Sequence, residues 1–195
     1  LKEKYSHVLG CDEVGRGCLA GPVVAAAVWM DDLKIENSKL KIGDIKDSKL
    51  LSAKKREELA EAIKNTALWS IAEVSPKEVD AINIHQASLL AMKKAVEDLL
   101  AQVETSKPFL FVDGKFSVPS LYIEQEAVVG GDNKVLSISA ASIIAKVYRD
   151  DLMQKFDKQF PEYEFGRHKG YATEAHRKMI QQHGLCNIHR LTFCH

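Results

Sequence analysis

Short apolar runs bounded by glycine or proline alternate along this chain with longer stretches whose apolar residues recur every three or four positions. Tyr5 to Cys11 and Pro22 to Met30 read as strands, and the small apolar run Val23 to Val28 suits a buried one. Between them lies Gly-Arg-Gly-Cys-Leu-Ala-Gly-Pro, residues 15–22, whose three glycines and proline mark a tight connection. Residues 31–50 are polar and irregular and predict a surface loop. Ser52 is placed to cap a helix reaching about Asn65, and a short strand is expected around Ala67 to Val74.

Leu89, Met92, Val96, Leu99 and Val103 form one apolar stripe and predict a helix over residues 85–103. Pro108 breaks that pattern, and Phe109-Leu110-Phe111-Val112 reads as a fully buried strand ending at Asp113-Gly114. A further strand is expected within Tyr122 to Val129, closed by Gly130-Gly131-Asp132. Ala141, Ala145, Tyr148, Leu152 and Phe156 predict a second long helix from about Ser139 to Phe160, ended near Pro161. A last helix runs from the Thr173 cap to about His183, with Gly184 at its C-terminus. Strands alternating with long helices predict an α/β layered fold. No internal repeat and no interdomain linker interrupts residues 1–195, so one domain is expected.

Composition narrows the class of protein. A chain of 195 residues, 46% hydrophobic and 28% charged, is ordinary for a soluble enzyme. No apolar run approaches the roughly 20 residues needed to span a bilayer, and no secretory pattern opens the sequence. Cys11, Cys18, Cys186 and Cys194 show no CxxC spacing and read as reduced thiols of a cytoplasmic protein. Lys+Arg and Asp+Glu balance at 27 each, which counts against coating nucleic acid by general basicity. Local positive surface remains available. Residues 161–195 carry five Lys/Arg against three Glu, plus five of the seven histidines.

Candidate chemistry comes from where the acids fall. Asp12, Asp113 and Asp132 each follow an apolar run and adjoin glycine-rich turns, and Glu13 stands beside Asp12. In open α/β sheets ligands bind beyond the carboxyl ends of strands, so these acids could converge. A carboxylate set without paired Cys/His ligands suits a hard cation, Mg²⁺ or Mn²⁺. Adjacent strand residues point to opposite faces, so Asp12 and Glu13 require the strand to end or bend at this pair. Taken alone, such acids also serve as turn residues, and a carboxylate cluster fits phosphatases, nucleases and polymerases equally.

Longer motifs separate these readings. Asp12-Glu13-Val14-Gly15-Arg16-Gly17 with Leu19-Ala20-Gly21-Pro22-Val23-Val24, Asp47-Ser48-Lys49, Val112-Asp113-Gly114 and Gly131-Asp132 stand in that order. Ser139-Ala140-Ala141-Ser142-Ile143-Ile144-Ala145-Lys146-Val147, Arg149-Asp150, His168-Lys169-Gly170-Tyr171-Ala172-Thr173 and His189-Arg190 follow. Together they span almost the whole chain, which resembles the bacterial ribonuclease HII family, the type 2 ribonucleases H. One departure is Leu50, where the family often has a second lysine.

The resemblance implies a ribonuclease H-like α/β fold: a five-stranded mixed sheet flanked by helices, with a helical C-terminal part over about residues 161–195 that contacts substrate. It implies a metal-dependent endonuclease that cuts the RNA strand of RNA–DNA hybrids. Incision 5′ of ribonucleotides embedded in duplex DNA, leaving 3′-hydroxyl and 5′-phosphate ends, is also implied. By motif match Asp12, Glu13, Asp113 and Asp132 are the catalytic, metal-binding carboxylates, with Mg²⁺ or Mn²⁺ as cofactor. Gly15, Arg16 and Gly17 are the implied readers of the ribonucleotide, Tyr171 packs on the next sugar, and Lys49 is a candidate phosphate contact. A monomer without membrane attachment is expected. Asp150 reads as serving helix structure in preference to a more distant substrate contact, and the tail histidines match no metal-ligand pattern. Rival readings are the related ribonuclease HIII, a catalytically silent nucleic-acid-binding module and a phosphomonoesterase.

Overall fold

A computed structural model describes residues 4–30, residue 45 and residues 52–194. Five strands form one sheet in the order β3-β2-β1-β4-β5: β1 His7–Val14, β2 Val23–Met30, β3 Ala67–Val74, β4 Pro108–Asp113 and β5 Glu124–Val128. β1, β2 and β3 pair antiparallel, whereas β4 and β5 run parallel to β1. The expected five-stranded mixed sheet is therefore present. Its two parallel joins place the carboxyl ends of β1, β4 and β5 along one rim.

Helices cover both faces. α1 (Ala53–Thr66) begins at the Ser52 cap, and α2 (Pro76–Leu100) begins nine residues before the predicted start. Ser75 and Glu78 make a reciprocal capping box with Pro76 just inside it, an arrangement worth about 1 kcal/mol. The apolar stripe could not show that start, because the helix is kinked at Asn83, whose φ is +65°. Asn83 Oδ1 accepts the main-chain N–H groups of His85 and Gln86 and so caps the second half of the helix. α2 packs on Leu9, Cys11, Val23, Ala25, Leu110 and Val112, the residues of one sheet face.

α3 (Leu136–Gln159) crosses the opposite face against Val24, Ala26 and Val28. Gly10 allows its close approach: a Cβ there would lie 2.4 Å from the main chain at Ser137 and Ile138. The short α4 (Phe165–His168) and α5 (Glu174–His183) follow, the latter between the predicted Thr173 and Gly184 caps. The segment 31–50, expected as a surface loop, lies outside the described residues except for Ile45, which is buried on the α1/α3 side.

Candidate active site

Asp12 and Asp113 stand level on neighbouring parallel strands. Cys11 pairs with Val112 in the β1–β4 ladder, so the next residue of each strand is an aspartate, both on the α3 face. Ser142, one turn into α3 beyond Gly10's contact, hydrogen-bonds the Asp12 carboxyl. Asp113 Oδ1 accepts the Gly131 N–H at 2.7 Å, which fixes the turn that carries Asp132. The main-chain carbonyl of Asp132 accepts the Ser139 hydroxyl, tying this turn to α3, and its Oδ1 accepts from Asn133 Nδ2 at 2.9 Å.

The expected strand end comes one residue after the acidic pair. β1 stops at Val14, and Asp12, Glu13 and Val14 all remain in the ladder with β2, opposite Ala26, Ala25 and Val24. Glu13 therefore starts from the other face. It stands one residue past the level where β4 ends, so it lies at the rim. Its N–H donates to Asp12 Oδ1 at 2.7 Å, and its carboxylate pairs with Arg16 at 3.1 Å.

These acids are electrostatically costly. Burial, then the charges of Glu13 and Asp113, push the Asp12 carboxyl up to about 8, against the opposing hydrogen bonds of Ser142 and the Glu13 N–H. Burial likewise raises Glu13, with Arg16 opposing it and Asp113 adding to it. A divalent cation fits this donor set, being hard, oxygen-seeking and opposite in charge. Among the described residues no three His, Cys, Asp or Glu side chains stand together as a ready-made metal site. An ion here would therefore share its shell with water and phosphate oxygens, as Mg²⁺ usually does.

Beside the acids lies a loop that the C-terminal segment holds in place. Gly15 has φ +93°, and a Cβ on it would sit 2.3 Å from Arg149 Nε, so only glycine fits. Nothing lies within 4 Å of the corresponding point on Gly17, which is open. Two buried arginines shape the loop from beneath. Arg149 donates to the carbonyls of Pro22, Ala20 and Lys169 at 2.9–3.1 Å. Arg190 donates twice to the Gly21 carbonyl and once, at 2.9 Å, to that of Arg16.

Tyr171 pairs with Cys18 in an isolated antiparallel bridge, and Ala20 pairs likewise with His189. Tyr171 is 39% exposed, with Lys146 Nζ 5.8 Å and Arg149 Cζ 5.9 Å from its ring centre. Gly15, Arg16, Gly17 and Tyr171 are thus brought together next to the carboxylates. Lys49 lies outside the described residues. Asp150 makes an ion pair with Lys146 at 2.7 Å.

Sequence reasoning assigned no role to Arg149 or Arg190. For Arg149 a signal existed: Ala141, Ala145, Arg149 and Met153, spaced by four on one helix face, are all fully buried. An arginine inside such a stripe must find acceptors or stay out of the core. Arg190 offered no comparable pattern.

The ribonuclease HII family profile matches residues 9–195. A ribonuclease HII of Pelodictyon phaeoclathratiforme is 49% identical, over 99% of this chain and 92% of that protein. The ribonuclease HII of Archaeoglobus fulgidus, solved in complex with PCNA, superposes with a TM-score of 0.75 at 26% identity, over 95% of this chain and 94% of that one. Bst-RNase HIII, solved with Mn²⁺, has a TM-score of 0.74 at 20% identity, over 96% of this chain and 67% of that one, a likeness of fold alone. With its sheet order, its rim of acids and these relatives in agreement, the chain belongs to the ribonuclease HII family and is a ribonuclease H.

Proposed function

We propose that this enzyme nicks the RNA strand of RNA–DNA hybrids and cuts 5′ of single ribonucleotides embedded in duplex DNA. The observation that carries this reading is the level placement of buried Asp12 and half-buried Asp113 on adjoining strands. Asp12, Glu13, Asp113 and Asp132 would hold Mg²⁺ or Mn²⁺ at the scissile phosphate. Two bound divalent ions supply activation of the attacking water and stabilisation of the departing oxygen. Water's oxygen bonds to phosphorus, the bond to the 3′-oxygen breaks, and that oxygen takes up a proton, which leaves 3′-hydroxyl and 5′-phosphate ends.

The remaining residues choose the position. The 2′-hydroxyl both donates and accepts, and it alone separates RNA from DNA at one nucleotide. The open main chain at Gly17, with Gly15 and Arg16, is suited to reading it. Tyr171 packs on the following sugar and disfavours a 2′-hydroxyl there, and Lys49 contacts a phosphate. The Gly-Arg-Gly loop favours this reading over that of a ribonuclease HIII, a relative with another substrate preference.

The test is incubation with duplex DNA containing one ribonucleotide, with and without Mg²⁺, followed by mapping of the nick. A cation-dependent cut 5′ of the ribonucleotide is expected. No cleavage, or cleavage only within long hybrids, would refute it.

A further inference from the structure

Behind Tyr171 lies a cluster that the reaction as described does not use: His168, His176 and His189, at 8%, 0% and 3% exposure. The His168 and His176 rings stack with centres 4.2 Å apart and 18° between planes, and His176 Nε2 lies 3.1 Å from His189 Nε2. Phe165 and Tyr163 pack against the cluster. Glu164, Asp157 and Arg167 act on His168, whereas the charges named for His176 are those of His168 and His189, and for His189 that of His168.

The hydrogen bonds determine each tautomer. His176 Nδ1 lies 2.9 Å from the Tyr171 carbonyl, which can only accept, so Nδ1 carries the proton and Nε2 must accept. His189 Nδ1 accepts the Cys186 main-chain N–H at 3.0 Å, which leaves its Nε2–H to donate to His176. The Cys186 thiol also faces this Nδ1 at 3.1 Å and can donate to it, and the Cys186 carbonyl, farther away at 3.3 Å, accepts the His189 main-chain N–H. His168 Nδ1 accepts the Gly170 N–H at 3.2 Å, and its Nε2–H donates to the Tyr163 carbonyl at 2.7 Å. All three rings are neutral and satisfied.

We propose that His176 is a positioning residue for Tyr171, held in its Nδ1–H tautomer by His189 so that it donates to the Tyr171 carbonyl. The Tyr171 main chain is then fixed at both ends. Its N–H donates to His168's carbonyl at 2.9 Å, and its carbonyl receives both His176 and the Thr173 N–H. Through the Cys18–Tyr171 bridge the same brace sets the phenol ring beside the Gly-Arg-Gly loop. This rests on the sugar contact proposed above for Tyr171. The carboxylates are not touched, so binding is affected and the chemical step is not.

The experiment combines kinetics on a single-ribonucleotide duplex with ¹⁵N NMR of the imidazoles. His176→Leu is expected to raise KM about fivefold, the worth of one hydrogen bond, with kcat nearly unchanged. His176→Asn, whose amide N–H replaces Nδ1–H, should restore most of the affinity. Adding His176→Leu to Tyr171→Ala should have no further effect on KM. A fall in kcat with KM unchanged, or full additivity with Tyr171→Ala, would overturn the proposal. If Tyr171→Ala alone leaves KM unchanged, the sugar contact fails instead, and the spectra judge the brace. Protons on His176 Nδ1, His189 Nε2 and His168 Nε2 support it in the wild-type protein, where no variant has to fold, and any other pattern refutes it.

Discussion

The guanidinium of Arg190 reaches the main-chain carbonyl of Arg16 at 2.9 Å, across 174 residues of sequence. The same guanidinium holds Gly21 from two nitrogens, and Asp80 of α2 anchors the next residues by accepting from the main chain of Leu191 and Thr192. The C-terminal segment is thus the floor on which the loop beside the acids rests. Burial pulls the Arg190 guanidinium down to about 10, aided by the nearby charge of Arg149, yet at neutral pH it remains a cation among carbonyls.

Removing that floor should be costly. Arg190→Met leaves the Arg16 and Gly21 carbonyls unpaired, at roughly 1–3 kcal/mol each. Urea unfolding should show a loss of about 3 kcal/mol, with weaker binding of a ribonucleotide-containing duplex. A variant with wild-type stability would show that the loop keeps its shape unaided.

The glycines of the loop should separate by role. Gly15→Ala meets both an unfavourable φ of +93° and the Arg149 side chain, so melting temperature and activity should fall together. Gly17→Ala has open space around it and should leave stability within about 0.5 kcal/mol of wild type. Any activity it loses then reports on the approach of substrate.

Asp113→Asn should cut the cleavage rate by far more than the roughly 10–100-fold typical of losing an outer partner of a metal ligand. Binding to a single-ribonucleotide duplex should be nearly preserved. Initial rates alongside fluorescence anisotropy decide it, and full activity would remove Asp113 from the reaction.

Asp12→Asn should stabilise the metal-free protein while abolishing cleavage. It removes a carboxyl whose ionisation is disfavoured by burial and by the charges of Glu13 and Asp113, and keeps the shape of the side chain. Thermal unfolding in chelator should show the variant melting higher, and a lower melting temperature would mean that the like charges are already compensated.

Acid should weaken the fold through the histidines. Burial lowers His176 from an ordinary 6.5 to about 4, and His168 and His189 shift the same way. The unfolded chain binds these protons first, so stability is full above about pH 6.5 and is lost as pH falls towards 4. Urea midpoints across that window should fall in the wild type and fall less in His176→Asn.

The sequence by itself determined the elements and the chemistry at their ends. Apolar runs such as Phe109 to Val112 and stripes such as Met92, Val96 and Leu99 follow local periodicity, because side-chain direction repeats with backbone geometry, although the helix stops at Leu100, short of the expected Val103. Asp12 and Asp113 were legible as acids following apolar runs, and the motif order proposed Glu13 and Asp132 as their partners. Only the tertiary structure decided what depends on register and burial: that Asp12 and Asp113 stand level, that β1 runs on through Glu13, and that Arg149, Arg190 and three neutral histidines support the loop and Tyr171. Hydrogen bonds between residues more than a hundred positions apart leave no periodic trace in the chain, since they arise where separate elements meet in the folded molecule.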